Sequence, residues 1–584
     1  MAWDTCYPMR LRRKRPRVHL DELPPELESG QRVGLDVEVY GLQSGRMHRP
    51  GGRFASLQVA VGDDVYVVRD QKLLRDAFRR IRKGDWTFFH AEFDLRQLRQ
   101  WVPVSYLRPP VSRFWDVMLV DQLLWSGYYK DFSLADTVRR YFGRYLDKST
   151  RDLFPEADEM TPEMVRYGAE DAWYTLKCRE VQERILDEGH PVSDSFDYLW
   201  RKVEGPMVFV LLDWRGAYID VDRWLQVAEG YAAQVKEMQK RLDYNPGSWQ
   251  QVVARIRQEG FRVSNAQAAT MEALAAKSEV ARTRLAYMKA QKRASTYGEN
   301  WIKQHVEADG RVYSDYHQIG TVTGRLASSS PNLQNIPIRE GPEYRRCFVH
   351  PEQRGRLVVG DFEQQEIRFT AYKSQDRALL DAVRSGRNVH AAVASLIFEQ
   401  PVSKGMDEYR LGKAVNLGLT YGLTPRGLAR NANIPVYRAE ALVRKYFDTF
   451  PGVSTWMRRE RAWAEQCWYV QSVAGRVCWV NLYDRGWINR AVNYPIQSSG
   501  GDQLKRSMVL LRERCLADLG YRVGEPLPLV LTVHDELVLE PPVGQVREHV
   551  KAFKEAVYEA SSELCPGLEF PLDVATGRSW AVKK

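Results

Sequence analysis

The run Val33–Tyr40 reads Val-Gly-Leu-Asp-Val-Glu-Val-Tyr and sets Asp36 and Glu38 two residues apart, alternating with Val33, Leu35, Val37 and Val39. In a strand, side chains two apart point the same way, so these carboxylates share one face and the valines and leucine share the other. Adjacent carboxylates repel, and a divalent cation relieves the repulsion. The alternative is an amphipathic strand with a wet face. Further along, Asp94 opens a helical run in His-Ala-Glu-Phe-Asp, and Asp116 lies in Phe-Trp-Asp-Val-Met. Tyr167 and Asp171 stand four apart, on one helical face. Asp116 taken alone reads as a helix-surface carboxylate.

A second set occupies the C-terminal half. The apolar strand Leu357–Val359 runs into Asp361 and Phe362, and helix-compatible text with Gln364, Glu366 and Arg368 follows. An acid after a strand can simply cap a helix. Two strand-forming runs within Leu529–Glu540 meet at His534, Asp535 and Glu536, a turn with neither Gly nor Pro. Such a tip is either solvated or faced by something cationic. The polar loop Thr321–Arg339 carries Arg325, Asn332, Gln334 and Asn335, which suit a polar ligand. Arg410, Lys413, Leu417 and Tyr421 follow at spacings of 3, 4 and 4 along one helical stripe. Two cations, an aliphatic and an aromatic could hold phosphates, a sugar and a base in that order, or could snorkel along an amphipathic helix. Asn493 and Gln497, four apart, suit one face of another helix.

The elements that must position these residues are legible in outline. Strand and helix text alternates from Gln31 to Glu180, with a hairpin turning at Gly62-Asp63-Asp64 and helices at Gln71–Ile81 and Phe132–Gly143. Gly, His and Pro cluster near Ile185–Asp194, where a boundary falls. Charged helical text runs to about Gln304, and a mixed region with long helices fills the rest. The 584 residues suffice for three or four domains of ordinary size, and 44% apolar residues allow sizeable cores. Lys and Arg total 85 against 75 Asp and Glu, a net charge of +10 compatible with a polyanionic partner. The seven cysteines form no C-x-x-C pair, which argues against a disulfide scaffold or structural zinc and for a reducing compartment. No apolar run approaches ~20 residues, so no membrane span is expected, and no signal peptide is apparent. The basic run Met9–Val18 reads as a solvated arm or one that touches phosphates.

Asp36, Glu38, Asp94, Tyr167 and Asp171, in this order, resemble the DEDDy 3′–5′ exonucleases of the ribonuclease H-like fold. The resemblance implies that four carboxylates hold two magnesium ions and that Tyr167 orients the attacking water. His90 departs from the Asn common in that family. From about Glu204 onward the chain resembles family A DNA polymerases. The resemblance rests on Thr-Val-Thr-Gly-Arg-Leu (321–326), Pro-Asn-Leu-Gln-Asn-Ile-Pro-Ile-Arg (331–339), Gly-Asp-Phe-Glu-Gln-Gln-Glu-Ile-Arg (360–368), Lys-Ala-Val-Asn-Leu-Gly-Leu-Thr-Tyr-Gly (413–422), Asn-Tyr-Pro-Ile-Gln-Ser-Ser-Gly-Gly-Asp (493–502) and Val-His-Asp-Glu-Leu-Val (533–538).

What this implies is a multidomain α/β and α+β protein: a ribonuclease H-like exonuclease domain followed by a right-hand polymerase. The expected organisation is a basic arm (1–30), the exonuclease (31–194), thumb (195–304), palm (305–375), fingers (376–480) and a second palm segment (481–584). The resemblance makes the chain a compact, phage-type replicase that copies a template and proofreads, without a 5′-nuclease domain. It implies two magnesium ions at Asp361 and Asp535, with Phe362 beside the first, and manganese as a substitute. Glu536 would assist near the metals and His534 near the primer terminus. Gln364, His390, Arg410, Lys413, Leu417 and Tyr421 would contact the nucleotide, and Glu366 would exclude a 2′-hydroxyl. Arg325, Asn332, Gln334, Asn335, Asn493 and Gln497 would contact DNA. Relatives carry Arg where Tyr409 stands and Phe or Tyr where Leu417 stands, so Arg410 reaches a triphosphate only obliquely. The expected partners are primer–template DNA, deoxynucleoside triphosphates and a single-stranded 3′ end, met by a cytoplasmic monomer. The runner-up is a 3′–5′ nuclease whose polymerase half only binds DNA.

Overall fold

The computed structural model describes residues 15–42, 51–338 and 342–583. Its first sheet has six strands: β1 (Arg17–Leu20), β2 (Arg32–Tyr40), β3 (Arg53–Val61), β4 (Asp64–Val68), β5 (Asp85–Phe88) and β6 (Phe114–Asp116), ordered β1-β4-β3-β2-β5-β6. β2 lies inside the sheet, antiparallel to β3 and parallel to β5. Its alternation is the expected one: Val33, Leu35 and Val37 are buried, and Asp36 and Glu38 are half-exposed. The β3–β4 hairpin turns through Gly62, at φ +64°. The helix Pro162–Asp187, capped by Thr161, packs on β2 and β3. Gly34 permits that approach, because a Cβ there would stand 2.4 Å from the Ala172 carbonyl oxygen.

Only part of the expected basic arm (1–30) falls among the described residues. Residues 1–14 lie outside the described residues, and Arg17–Leu20 is an edge strand of the sheet. Arg17 there is committed to Asp64, at 2.8 and 2.6 Å.

Beyond the Pro162–Asp187 helix the chain stays on the first domain. The helix Ser193–Tyr198, the π-turn Leu199–Glu204 and the helix Gly205–Leu212 follow directly. Trp200 stacks on Phe114 of β6 with ring centroids 5.9 Å apart. Residue 195 therefore falls inside a helical connector. Next, helix Val221–Arg241 packs against helix Glu279–Thr296. Between them lies a small separate core that includes Val252, Ile256, Met271 and Ala281.

The second sheet is antiparallel, with strand order Leu529–Val533, Glu536–Leu539, Leu357–Phe362, Leu572–Gly577. The long helices Trp487–Asp518 and Val546–Leu564 pack together, and Phe553 of the second lies against Gly360 of the sheet. Helices between Gln365 and Cys467 form the remaining lobe. The two halves are joined by polar and aromatic contacts. Trp479 donates through its indole to the Leu124 carbonyl and through its backbone to that of Ser126. Asp213 pairs with Arg99, Arg108 and Arg512. Glu204, fully buried, pairs with Arg476 and Lys505. Among the described residues no helix is long and apolar enough to cross a membrane, and the cysteines are free.

Candidate active sites

The first site is built where β2 meets the Pro162–Asp187 helix. Carboxylate oxygens of Asp36, Glu38 and Asp171 lie within 4.8 Å of one another. Asp94, on the helix Ala91–Leu98, accepts the Val37 backbone N–H at 3.2 Å, which holds it against the same strand. Burial, and then neighbouring acids, push Asp36 up to about 7 and raise Glu38 and Asp94 well above the carboxylate range. Asp36 Oδ2 and Asp94 Oδ2 are buried without a hydrogen-bond partner. A cluster of acids, two half-exposed and two buried, with two buried idle oxygens suits a hard divalent cation, which oxygen ligands favour. Tyr167 lies one helical turn before Asp171, and burial followed by the acids raises its hydroxyl as well. Lys148, which the acid pattern did not signal, donates to Asp171 at 2.6 Å and to the Tyr167 hydroxyl at 3.3 Å.

Asp116 corrects the surface reading. It is buried at the end of β6 and accepts the backbone N–H groups of Ala91 (2.7 Å), Leu119 (3.2 Å) and His90 (3.3 Å). It therefore ties together the starts of two helices, one of which carries Asp94. His90 stands in the left-handed region at φ +67°, where Asn and His are tolerated far better than most residues.

The second site forms at one end of the antiparallel sheet. Asp361 pairs across the strands with Glu536. His534 and Asp535 make a two-residue turn, with His534 at φ +58°. The Phe362 N–H donates to the Asp535 carbonyl at 3.3 Å, which sets the tip beside the end of the strand that bears Asp361. Burial raises the Asp535 carboxyl, and nearby Arg325 opposes that. Glu536 is turned into the protein: Arg345 (3.1 Å) and the Trp580 indole (2.7 Å) hold its carboxylate, and Arg345 also lies 3.9 Å above the Trp580 ring. No spacing in the sequence links Arg345 or Trp580 to Glu536, since they lie 191 and 44 residues away.

Segments distant in sequence converge on this site. Glu366 accepts from Arg325 at 3.3 Å and from the Tyr421 hydroxyl, which Gln497 also contacts. His390 is buried in the first turn of helix Val389–Phe398 with Nδ1 unpartnered. Burial and then Lys413 lower its ring to about 4. The Tyr409 ring meets it edge-on at 6.3 Å. Lys413 is exposed and Leu417 half-buried on helix Asp407–Thr420, with Tyr421 at its end.

Other expected contacts are committed elsewhere. Arg410 leaves the stripe: it donates to the Ala432 carbonyl at 2.9 Å and to Asp407 at 3.2 Å, at the end of the next helix. Gln364 accepts the Val389 N–H at 3.0 Å and so supports the His390 helix. Gln334 donates to the Leu326 carbonyl at 3.2 Å, while Asn332 and Asn335 are exposed and Asn493 is half-buried. Phe362 is buried.

Residues 236–582 match the model for DNA polymerase family A, and residues 16–187 match that for a 3′-5′ exonuclease. The chain belongs to DNA polymerase family A and carries an N-terminal domain of the 3′–5′ exonuclease family. It is 32% identical to DNA polymerase I of Pseudomonas aeruginosa over 94% of this chain and 63% of that protein. It is 30% identical to DNA polymerase I of Chloroflexus aurantiacus over 71% of this chain and 46% of that protein. The chain thus spans less than two thirds of either relative. The polymerase domain of Pol1 from M. smegmatis, solved in complex with DNA primer-template and dNTP, superposes with a TM-score of 0.79 over 97% of this chain and all of that one, at 24% identity.

Proposed function

We propose that the chain is a template-directed DNA polymerase that proofreads with its own 3′–5′ exonuclease. The observation that carries this reading is the convergence of Arg325, Glu366, Tyr421 and Gln497, from separate segments, beside Asp361 and Asp535. Asp361 and Asp535 are the catalytic acids of extension. Two divalent cations per site, magnesium with manganese able to replace it, would lower the pKa of the attacking oxygen and stabilise the leaving group. Lys413, with the neutral His390 ring, faces the triphosphate of a deoxynucleotide. Leu417 lies under its sugar and Tyr421 beside its base. Glu366, held by two partners, occupies the space a 2′-hydroxyl would need. Arg325, Gln497, Asn493 and His534 contact primer–template DNA, as do the exposed Asn332 and Asn335 from their loop. Glu536 braces the turn through Arg345 and Trp580, Gln364 supports the site through its side chain, and Phe362 does so through its backbone N–H.

In the first domain Asp36, Glu38, Asp94 and Asp171 gather at one place, and the Tyr167 hydroxyl orients the water that cuts a single-stranded 3′ end. The test is primer extension with and without the four deoxynucleotides, on a labelled primer–template. Elongation with all four, and shortening from the 3′ end with none, are expected. Shortening under both conditions would reduce the C-terminal half to a DNA-binding platform.

A further inference from the structure

The segment ahead of the Pro162–Asp187 helix brings a cation into the first acid cluster. Lys148 directly precedes a short 3-10 helix, Ser149–Glu156, that packs against β2 and the Pro162–Asp187 helix. Its ammonium donates to Asp171 Oδ2 at 2.6 Å and to the Tyr167 hydroxyl at 3.3 Å, and lies 4.9 Å from the centre of the Tyr167 ring. It therefore binds the two helical members of the cluster at once, through charge, hydrogen bond and ring face. The side chain is 32% exposed, so the ammonium stands at the mouth of the cluster rather than behind it. Deeper in, Asp36 Oδ2 and Asp94 Oδ2 keep no partner. Arg151, three residues on, adds to the positive field on Asp36 and Glu38.

A cation at the mouth of an acidic site has two consequences. It competes with a divalent ion for Asp171. It also meets first whatever anion enters, and a strand end presents phosphates. Lysine's flexible four-carbon stem lets one ammonium serve both partners. We propose that Lys148 is a positioning residue of the 3′–5′ exonuclease centre: it holds Asp171 and the Tyr167 hydroxyl as their counter-ion before DNA arrives, and offers the same ammonium to the phosphate of the incoming strand end. The inference rests on the exonuclease reading above.

The test uses the full chain and the variants Lys148→Met, Lys148→Gln and Lys148→Arg. Manganese binding to the DNA-free protein is followed by electron paramagnetic resonance, and a variant with Asp36→Ala and Glu38→Ala isolates the cluster's share. Degradation of a labelled single-stranded oligonucleotide is measured at saturating manganese. Lys148→Met and Lys148→Gln should bind manganese about threefold to tenfold more tightly, because a competing charge has gone. They should degrade the oligonucleotide at least about tenfold more slowly, because the phosphate has lost its partner. Lys148→Arg should keep the parent's manganese affinity and most of its rate. A purely structural lysine would loosen the cluster when lost, so weaker or unchanged manganese binding in both neutral variants overturns the proposal. So does undiminished degradation. If the parent does not shorten the oligonucleotide, or the double alanine variant still does, the exonuclease reading itself fails and takes the proposal with it.

Discussion

Asp36 is held where its neutral form is favoured, and that has a measurable sign. Its ordinary value of 3.8 is raised to about 7 in the fold, by burial first and by Asp171 second. Between those values the unfolded chain has released a proton that the native chain keeps. Stability therefore falls as pH rises from about 4 through about 7, and the loss is complete above that. Asp36→Asn should raise the unfolding temperature of the metal-free first domain at pH 8, with the gain fading towards pH 4. A pH-independent difference between the two proteins would show that Asp36 ionises normally. Helix Asp407–Thr420 gives a second contrast. Arg410→Ala should change kcat/KM for a deoxynucleotide by less than about threefold, since its guanidinium is spent on Ala432 and Asp407. Lys413→Ala should cost at least about a hundredfold, as loss of a charge-assisted phosphate contact does. Equal losses in steady-state extension would return Arg410 to the triphosphate. Leu417 offers a small branched face and no hydroxyl, so the parent should reject dideoxynucleotides. Leu417→Tyr should shrink that rejection, because a hydroxyl fills the gap left by the missing 3′-hydroxyl. Pairing such a group is worth about 1–3 kcal/mol, roughly one to two decades in the rate ratio. Matched kcat/KM values in an exonuclease-silenced background check this, and an unmoved ratio removes Leu417 from beneath the sugar.

At the scale of the element, Asp116 decides whether the helix bearing Asp94 starts where it must. One carboxylate accepts three backbone N–H groups, from His90, Ala91 and Leu119. Asp116→Ala leaves all three unsatisfied, those of Ala91 and Leu119 buried, at about 1–3 kcal/mol for a lost buried partner and about 1 more for the cap. In a domain of this size that lowers the unfolding temperature by about 4–16 °C. Degradation should be lost with it, although Asp116 is placed to touch no substrate. Asp116→Asn, which keeps an acceptor, should recover much of both. Scanning calorimetry together with a degradation assay distinguishes this from a surface acid, whose removal would move neither. Gly34 acts at the same scale, because only a residue without a Cβ lets the Pro162–Asp187 helix come close enough to deliver Asp171 to β2.

Across the whole molecule the two acid sets lie on different sheets and share no side chain. Asp361→Ala or Asp535→Ala should abolish extension and spare 3′–5′ shortening, while Asp36→Ala with Glu38→Ala should do the reverse. Persistent shortening by the second variant would mean that the first cluster is not the cutting site. The halves are nonetheless firmly joined. Asp213 with Arg99, Arg108 and Arg512, and Glu204 with Arg476 and Lys505, bury charges that are costly to leave unpaired. The two acid sets are therefore carried on one docked body.

Periodicity and local chemistry settled much of this protein in advance. The alternation in Val33–Val39 put Asp36 and Glu38 on one face, and an apolar strand running into Asp361 announced an acid towards the end of that strand, because strand geometry depends only on neighbours. The spacing of Tyr167 and Asp171 was equally local, as was the hairpin around Gly62. Contacts between segments could not be read that way. Asp116 looked like a surface acid because its three donors come from two helix starts that only the fold brings together. Arg410 shares a helical stripe with Lys413, yet a long flexible side chain follows the nearest acceptor, and that is the carbonyl of Ala432 on another helix. Lys148, Arg345 and Trp580 belong to no repeating pattern, and their partners are fixed by tertiary packing at separations of 23, 191 and 44 residues. Spacing assigned the acids to faces, and only the packed chain decided which cations and donors those acids would meet, because hydrogen bonds and ion pairs form between whatever side chains burial brings within reach.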